Sequence, residues 1–380
     1  MYIHRRPDWP EFRWDAAALA RPLAETRCAQ GRLLGCMESP LFPLPRLEAN
    51  LEVLTVETVK SSAIEGEKLD ADQVRSSLAR RLGIEAGGTA PVSRSVEGVV
   101  EMALDAVRNF NAPLTPGRLF GWHAALFPAG RSGLRIIAAG AWRTGSMQVV
   151  SGPASSETVH FEAPKGARVP EEMEKFLAWF NAPPREDPVI RAALAHFWFV
   201  TIHPFEDGNG RIARAIADMA LARADGHSER FYSMSAQIEA ERGDYYAALE
   251  AGQKGDLDVT PWLAWFLGCL GRSLVRAETI LAGVLRKARI WQQVGAAPIN
   301  ERQRHLINRL LDGREDHLTT SQAGQWTNCS ADTALRDIAK LVELGILARN
   351  ESGGRSTSYR LATPSGDAKL PRPRATRGDS

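Results

Sequence analysis

Residues 188–202, Pro188-Val189-Ile190-Arg191-Ala192-Ala193-Leu194-Ala195-His196-Phe197-Trp198-Phe199-Val200-Thr201-Ile202, are apolar on almost every side. A helix of that kind has to be buried on most of its faces, so the rest of a soluble chain must be arranged around it. It runs straight into His203-Pro204-Phe205-Glu206-Asp207-Gly208-Asn209-Gly210-Arg211-Ile212-Ala213-Arg214. Pro204 stops the incoming helix, and Gly208 and Gly210 let the backbone turn tightly. A new helix leaves the loop with Ile212, Ala213, Ile216, Met219 and Ala220 on its buried side. A glycine loop that opens a helix offers free N–H groups and the positive end of the helix dipole to an anion. Arg211 and Arg214 stand three residues apart and project to one side. The residues describe a phosphate site with an imidazole, His203, beside it. A metal trio of His196, His203 and Asp207 finds no support in ligand spacing.

The remaining composition narrows the class. The chain has 380 residues, enough for two or three domains. Its 44% apolar and 24% charged content is that of a soluble globular protein. A net charge of +2 gives no strong field that would mark the whole chain as a nucleic-acid or membrane binder. The start, Met1-Tyr2-Ile3-His4-Arg5-Arg6-Pro7, lacks an apolar signal core, and no apolar run is long enough to span a bilayer. Cys28, Cys36, Cys269 and Cys329 are scattered without CxxC spacing. Reduced thiols in a cytoplasm fit better than zinc.

A mainly helical fold is expected. Trp9, Phe12 and Trp14 suggest an aromatic strap laid on a neighbour. Asp15 should cap a helix to about Glu38, with Leu19, Leu23, Leu33 and Leu34 inward, before Pro40, Pro43 and Pro45 break the chain. A helix from about Arg46 to Ile64 carries the stripe Leu47, Leu51, Leu54 and Thr58. Gly66 suits the left-handed residue after its end, which puts Glu65 where the dipole disfavours an anion. A cation elsewhere, Arg211 or Arg214, would hold such a carboxylate. Further helices are expected at about 70–81, 93–111, from Thr115-Pro116 through His123, and at 170–181. His123 reads as a packed, hydrogen-bonded histidine. Two β-like runs, Met147–Ser151 and Thr158–Phe161, make a hairpin around Gly152-Pro153. Its free edge suits a flap that pairs with an extended peptide. One or two long helices follow over 260–295. Beyond Pro298 come three helices ending with Ala331–Leu344, then strand, glycine turn and strand. That order resembles a winged helix-turn-helix. Ala334, Leu335, Ile338, Leu341 and Leu344 would face inward. Thr333, Arg336, Asp337 and Lys340 would face out, with Arg349, Arg355 and Arg360 as wing cations. DNA is one partner for such a unit, and protein contact or homodimerisation is the other.

The loop matches the Fic motif, HPFx[DE]GNGRxxR, at every position, and the chain resembles the Fic family over about residues 95–275. Gly140-Ala141-Trp142-Arg143 looks like the family's GxxR before the flap. Tyr245–Leu249 and Asp256–Trp262 look like its pocket-closing helices. The resemblance implies a Fic-type helical core with a β-hairpin flap, at 93–297. It also implies an N-terminal helical extension at 1–92. The winged-helix order occupies 298–362, and the Pro-, Gly- and Arg-rich composition of 363–380 predicts a disordered tail. The Fic resemblance implies a nucleotidyl transferase that moves AMP from ATP to a Ser, Thr or Tyr hydroxyl of a protein presented along the flap near 147–161. His203 would be the general base and Asp207 the Mg²⁺ ligand. The amides of Gly208, Asn209 and Gly210 would line an anion hole, with the Asn209 side chain on the α-phosphate. Arg211 and Arg214 would hold the β- and γ-phosphates, and Tyr246 and Gln253 would border the adenosine.

Ser61-Ser62-Ala63-Ile64-Glu65-Gly66 fits the family's inhibitory pattern, [ST]xxxE[GN]. The resemblance then implies an autoinhibited enzyme, with Glu65 paired to Arg214 in the γ-phosphate's place. The alternatives are a family variant that removes AMP or moves UMP or a phosphoryl group, and a DNA-binding regulator whose core senses nucleotide.

Overall fold

The computed structural model describes residues 1–37, 43–84, 92–151, 158–295, 298–311, 317–350 and 357–362. Helix α1 (Ala16–Met37) begins where Asp15 accepts the N–H groups of Ala17 at 2.9 Å and Ala18 at 3.0 Å. Leu19 and Leu33 are buried, whereas Leu23 and Leu34 are half-buried. Helix α2 (Pro43–Ile64) starts earlier than the sequence suggests. Pro43 and Pro45 do not break it but lie in its first turn, where a helix has no use for the N–H groups that proline lacks. Leu51, Leu54 and Thr58 are buried as the stripe requires, but Leu47 is 44% exposed. Helix α3 (Ala71–Leu82) is capped by Asp70 and ends at Gly83 with φ 72°. With α4 (Arg94–Arg108) it closes an apolar cluster of Leu51, Leu54, Val74, Leu78, Val96, Val100 and Leu104.

Helix α5 (Pro116–Leu126) has the Thr115 cap and proline start that its sequence announces. A two-residue ladder follows, β1 (Arg131–Ser132) with β2 (Arg135–Ile136), which no alternation in the sequence marks. The expected hairpin is present as β3 (Gln148–Ser151) and β4 (Thr158–Glu162), antiparallel, with a register shift between Val149 and Val150. Its turn at Gly152-Pro153 lies outside the described residues. Helix α6 (Val169–Asn181) packs on α7 (Pro188–Ile202), and α7 on α8 (Asn209–Asp225). Every residue of α7 from Val189 to Ile202 is buried. Helices α9 (Met234–Ala240), α10 (Arg242–Lys254) and α11 (Thr260–Val294) follow. The N-terminal aromatics form the expected strap. The Trp9 indole donates to Glu172 at 2.7 Å, and Phe12 meets the edges of Phe197 and Trp198.

The chain forms two compact units, Met1–Glu278 and Thr279–Ser380. In the second, α12 (Glu301–Leu311), α13 (Thr320–Thr327), α14 (Ala331–Glu343), β6 (Leu347–Arg349) and β7 (Ser358–Leu361) follow in the order the sequence predicts, with one further short strand, β5 (Leu318–Thr319), before α13. Strand β7 lies between β5 and β6. Leu306, Ile307, Leu310, Ala334, Ile338 and Leu341 form its core. Two expectations for α14 are corrected. Asp337 does not face solvent: it is buried and bound by Asn300 and Arg302. Leu335 is 48% exposed. The buried stripe runs through 334, 337, 338 and 341, so Leu335 falls off it and Asp337, satisfied by side chains of α12 and its cap, falls on it. Arg355 and the tail from 363 lie outside the described residues.

Candidate active site

Helix α7 ends in His203, whose backbone takes the left-handed conformation at φ 53°, ψ 59°. This conformation is uncommon for a residue with a side chain, and it turns the imidazole out of the helix line. The Nδ1 atom lies 3.2 Å from the Val200 carbonyl. A carbonyl only accepts, so Nδ1 carries the proton and the Nε2 lone pair is left for a ligand. Burial, with the Arg143 charge adding to it, pushes the imidazole down to about 4, against the pull of the Val200 bond, Glu65 and Asp207. The ring is therefore neutral near pH 7, as a proton acceptor must be.

The loop is held from inside. Asn209 accepts the Phe205 N–H and donates to the Phe205 carbonyl, both at 2.9 Å. Its side chain thus closes the loop from within. Phe205 stacks on His123 at 4.2 Å. The Gly140 N–H donates to His123 Nδ1 at 2.9 Å, so Nε2–H donates to the Asp207 carbonyl at 3.2 Å. The Asp207 carboxylate accepts the Gly208 N–H at 2.6 Å and the Ser132 hydroxyl. Arg135 donates to the Glu206 carbonyl at 2.7 Å. The short β1–β2 ladder therefore clips the loop in place, a part that sequence reading missed.

Opposite stands the end of α2. The Gly66 N–H bonds to the Ala63 carbonyl and the Glu67 N–H to the Ser62 carbonyl, each at 3.0 Å, with Gly66 at φ 84°. This pair of bonds closes a Schellman turn. Glu65 is its C-cap and Glu67 follows the glycine, so the turn sends both carboxylates back along the helix end. Glu65 Oε1 lies 2.8 Å from Arg214 Nη1. Arg214 is buried and also donates to the Ser61 hydroxyl at 2.9 Å and the Ser61 carbonyl at 2.7 Å. Burial works against its charge, and Glu65 more than restores it, leaving the guanidinium pKa raised. Glu67 Oε2 accepts from Arg211 at 2.5 Å, and Arg211 lies over the Phe127 ring. No spacing rule in the sequence signals Glu67.

The Glu65 carboxylate sits on the first turn of α8. A Cβ added at Gly210 would stand 2.1 Å from Glu65 Oε1. Only glycine allows an anionic oxygen this close to the helix mouth. Beside it opens a cavity of about 650 Å³, lined among others by Glu65, His203, Gly210, Tyr246 and Gln253 together with Val149 and His160 of the flap. This is the size of a small-molecule or cofactor site. The structure thus brings His203, Gly210, Tyr246, Gln253 and Glu65 to one space. The Tyr246 hydroxyl also donates to the Ile64 carbonyl at 3.3 Å, and Gln253 to Thr201 at 3.4 Å. His160 Nδ1 and Glu250 Oε2 are 2.7 Å apart and tie β4 to α10. His196 bonds the Tyr245 hydroxyl at 3.0 Å and stacks on Trp262, which accounts for it as a core histidine. Among the described residues, no three His, Cys, Asp or Glu side chains form a metal cluster. No helix there is long and apolar enough to cross a membrane.

Residues 113–221 match the family model described as Fic/DOC family, and residues 2–84 match one described as a domain of unknown function (DUF4172). The chain is 36% identical over 91 residues to protein adenylyltransferase fic-1 of Caenorhabditis elegans, covering 23% of this chain and 17% of that protein. It is 35% identical over 104 residues to protein adenylyltransferase Fic of Culex quinquefasciatus, covering 27% and 19%. The match thus spans less than a fifth of either relative. A crystal structure of a Fic family protein from Desulfovibrio desulfuricans G20 has a similar fold, with TM-score 0.53, 22% identity, and coverage of 92% of this chain and 97% of that one.

Proposed function

This chain is a Fic family protein, and from that premise we propose that it is an autoinhibited protein adenylyltransferase. The observation that carries the reading is the carboxylate of Glu65 resting on Gly210 and Arg214 at the mouth of α8. An anion already occupies the place where a helix N-terminus and a buried arginine would take a phosphate. His203, with Nδ1 on the Val200 carbonyl and the Nε2 lone pair left over, lines the same cavity.

In the reaction, a Ser, Thr or Tyr hydroxyl of a target protein gives its proton to His203 Nε2. Its oxygen bonds to the α-phosphorus of ATP, and the bond from that phosphorus to the bridging oxygen breaks to release pyrophosphate. The N–H groups of Asn209 and Gly210 face the α-phosphate, while that of Gly208 is engaged by the Asp207 carboxylate, and Arg211 and Arg214 hold the outer phosphates once Glu67 and Glu65 let go. Tyr246 and Gln253 border the adenosine. Asp207 fits Mg²⁺: its oxygens keep lone pairs beyond the Gly208 and Ser132 bonds, and this ion is bound by one or two carboxylates together with substrate phosphates. When bound, it would neutralise phosphate charge. The target segment lies along the β3–β4 flap, where Val150 and Val159 are exposed.

The test uses Glu65→Gly protein with ATP labelled at either the α- or the γ-phosphate. Label from the α-position should enter protein, its own or a target's, about 100-fold faster than with the parent chain, as expected for removal of a partner worth about 3 kcal/mol. His203→Ala in that background should lose the transfer. Incorporation from the γ-position instead would mean phosphoryl transfer, and no incorporation from either would end the proposal.

A further inference from the structure

One heavily bonded cation near the site neither lines the cavity nor bonds Glu65 at the end of α2. Arg143 is 2% exposed. Its Nε donates to the His203 carbonyl at 2.6 Å, and one Nη donates to the carbonyls of Pro164 at 2.6 Å and Ile202 at 3.2 Å. The other Nη donates to the Gly145 carbonyl at 2.7 Å, and the Arg143 N–H donates to the Pro204 carbonyl at 2.9 Å. These side-chain bonds all go to backbone. Three consecutive carbonyls, those of Ile202, His203 and Pro204, are thereby fixed from one residue.

The bonds fall where the chain most needs them. The last carbonyls of a helix have no partner within it, and here the helix ends inside the protein. Leaving them bare would be costly. The left-handed backbone at His203 costs energy for a residue with a Cβ and persists only when its surroundings determine it. A planar guanidinium with five donors can satisfy several carbonyls in a fixed geometry, and an ammonium cannot.

We propose that Arg143 is a positioning residue for His203, holding the backbone on which the imidazole is mounted so that Nε2 meets the attacking hydroxyl. The inference rests on the reading of His203 as the base. The Arg143 charge has a second effect. It lies close enough to disfavour a protonated imidazole, in the same sense as the burial that lowers the His203 pKa. Both effects keep His203 neutral and aimed.

The experiment uses full-length Glu65→Gly protein and two further changes, Arg143→Lys, which keeps the charge and loses the fork, and Arg143→Gln, which loses both. ATP affinity, kcat and KM for transfer, and the proton titration of the His203 ring by NMR are measured. ATP affinity should stay within about threefold while kcat falls at least about 30-fold in both variants, the size of a misplaced catalytic group. The His203 titration should move to higher pH in Arg143→Gln and stay in place in Arg143→Lys. Unchanged kcat in both variants would overturn the proposal. So would a joint loss of ATP binding and transfer in Arg143→Lys, which would make the residue a bolt for the whole fold. If the Glu65→Gly parent itself transfers nothing, the adenylyl-transfer reading fails, and the ring titration and ATP affinity still decide whether Arg143 sets the state of His203.

Discussion

Two helices approach the motif loop, and they are held in opposite ways. Helix α7 is buried from Val189 to Ile202 and packs through Phe197, Trp198 and Phe199 against other aromatic rings. Helix α2 meets the same core through a row of polar contacts. Arg46 pairs with Glu229, Asn50 accepts the Arg230 N–H, and Glu57 accepts from Ser233 and Ser235. Lys60 then pairs with Glu239, and Ser61 and Glu65 with Arg214. Its apolar side faces α3 and α4 instead. Apolar burial has no substitute in water, whereas a ligand phosphate can replace a carboxylate on an arginine. On the proposed reading, the first helix is scaffold and the second competes for the site it covers.

Acid should produce the largest effect, and on the scaffold. Burial holds the imidazoles of His4, His123 and His203 down to about 4 and that of His196 to about 3, from an ordinary 6.5. Between those values the unfolded chain binds protons that the folded chain does not. Stability is therefore full above about pH 6.5 and is lost as pH falls toward 4. The thermal midpoint should drop steadily from pH 6.5 to 5, and a level midpoint over that window would contradict the burial argument. Next in size, Phe199→Ala should cost about 3–5 kcal/mol in urea unfolding, because it empties a fully buried site. Lys60→Ala on the gate should cost less than about 1 kcal/mol. Similar costs for both would erase the distinction between the helices. The smallest effect should come from Glu67→Gln. Glu67 is 46% exposed beside Arg211, so transfer in a labelled-ATP assay should rise only about two- to fivefold. A rise equal to that from Glu65→Gly would make Arg211, and not Arg214, the main point of control.

The contrast between the two helices was partly legible in the sequence. An all-round apolar run can only be a buried helix, so α7 and the loop after it could be placed from residues alone. The Gly66 turn was legible because a left-handed position calls for glycine. Glu67 was not, since only the closed turn directs a carboxylate past the glycine onto Arg211. The β1–β2 clip was hidden because two-residue strands carry no alternation, and Ser132 meets Asp207 only through tertiary contact. The bonds of the Asn209 side chain to the Phe205 backbone were not legible, since they exist only once the loop is closed. Asp337 is expected to face out because the winged helix-turn-helix resemblance puts it on the outer side of its third helix. Its burial depends on Asn300 and Arg302 from another helix and its cap, which helical periodicity cannot reveal.

On the proposed reading, Glu65 fills the seat of an outer phosphate. Calorimetric binding of ATP and of AMP to the parent chain and to Glu65→Gly tests it directly. ATP affinity should rise about tenfold or more on the substitution, a gain of about 1.4 kcal/mol, while AMP affinity stays within about twofold. Equal gains for both nucleotides, or none for ATP, would show that the carboxylate does not stand in the phosphate's place.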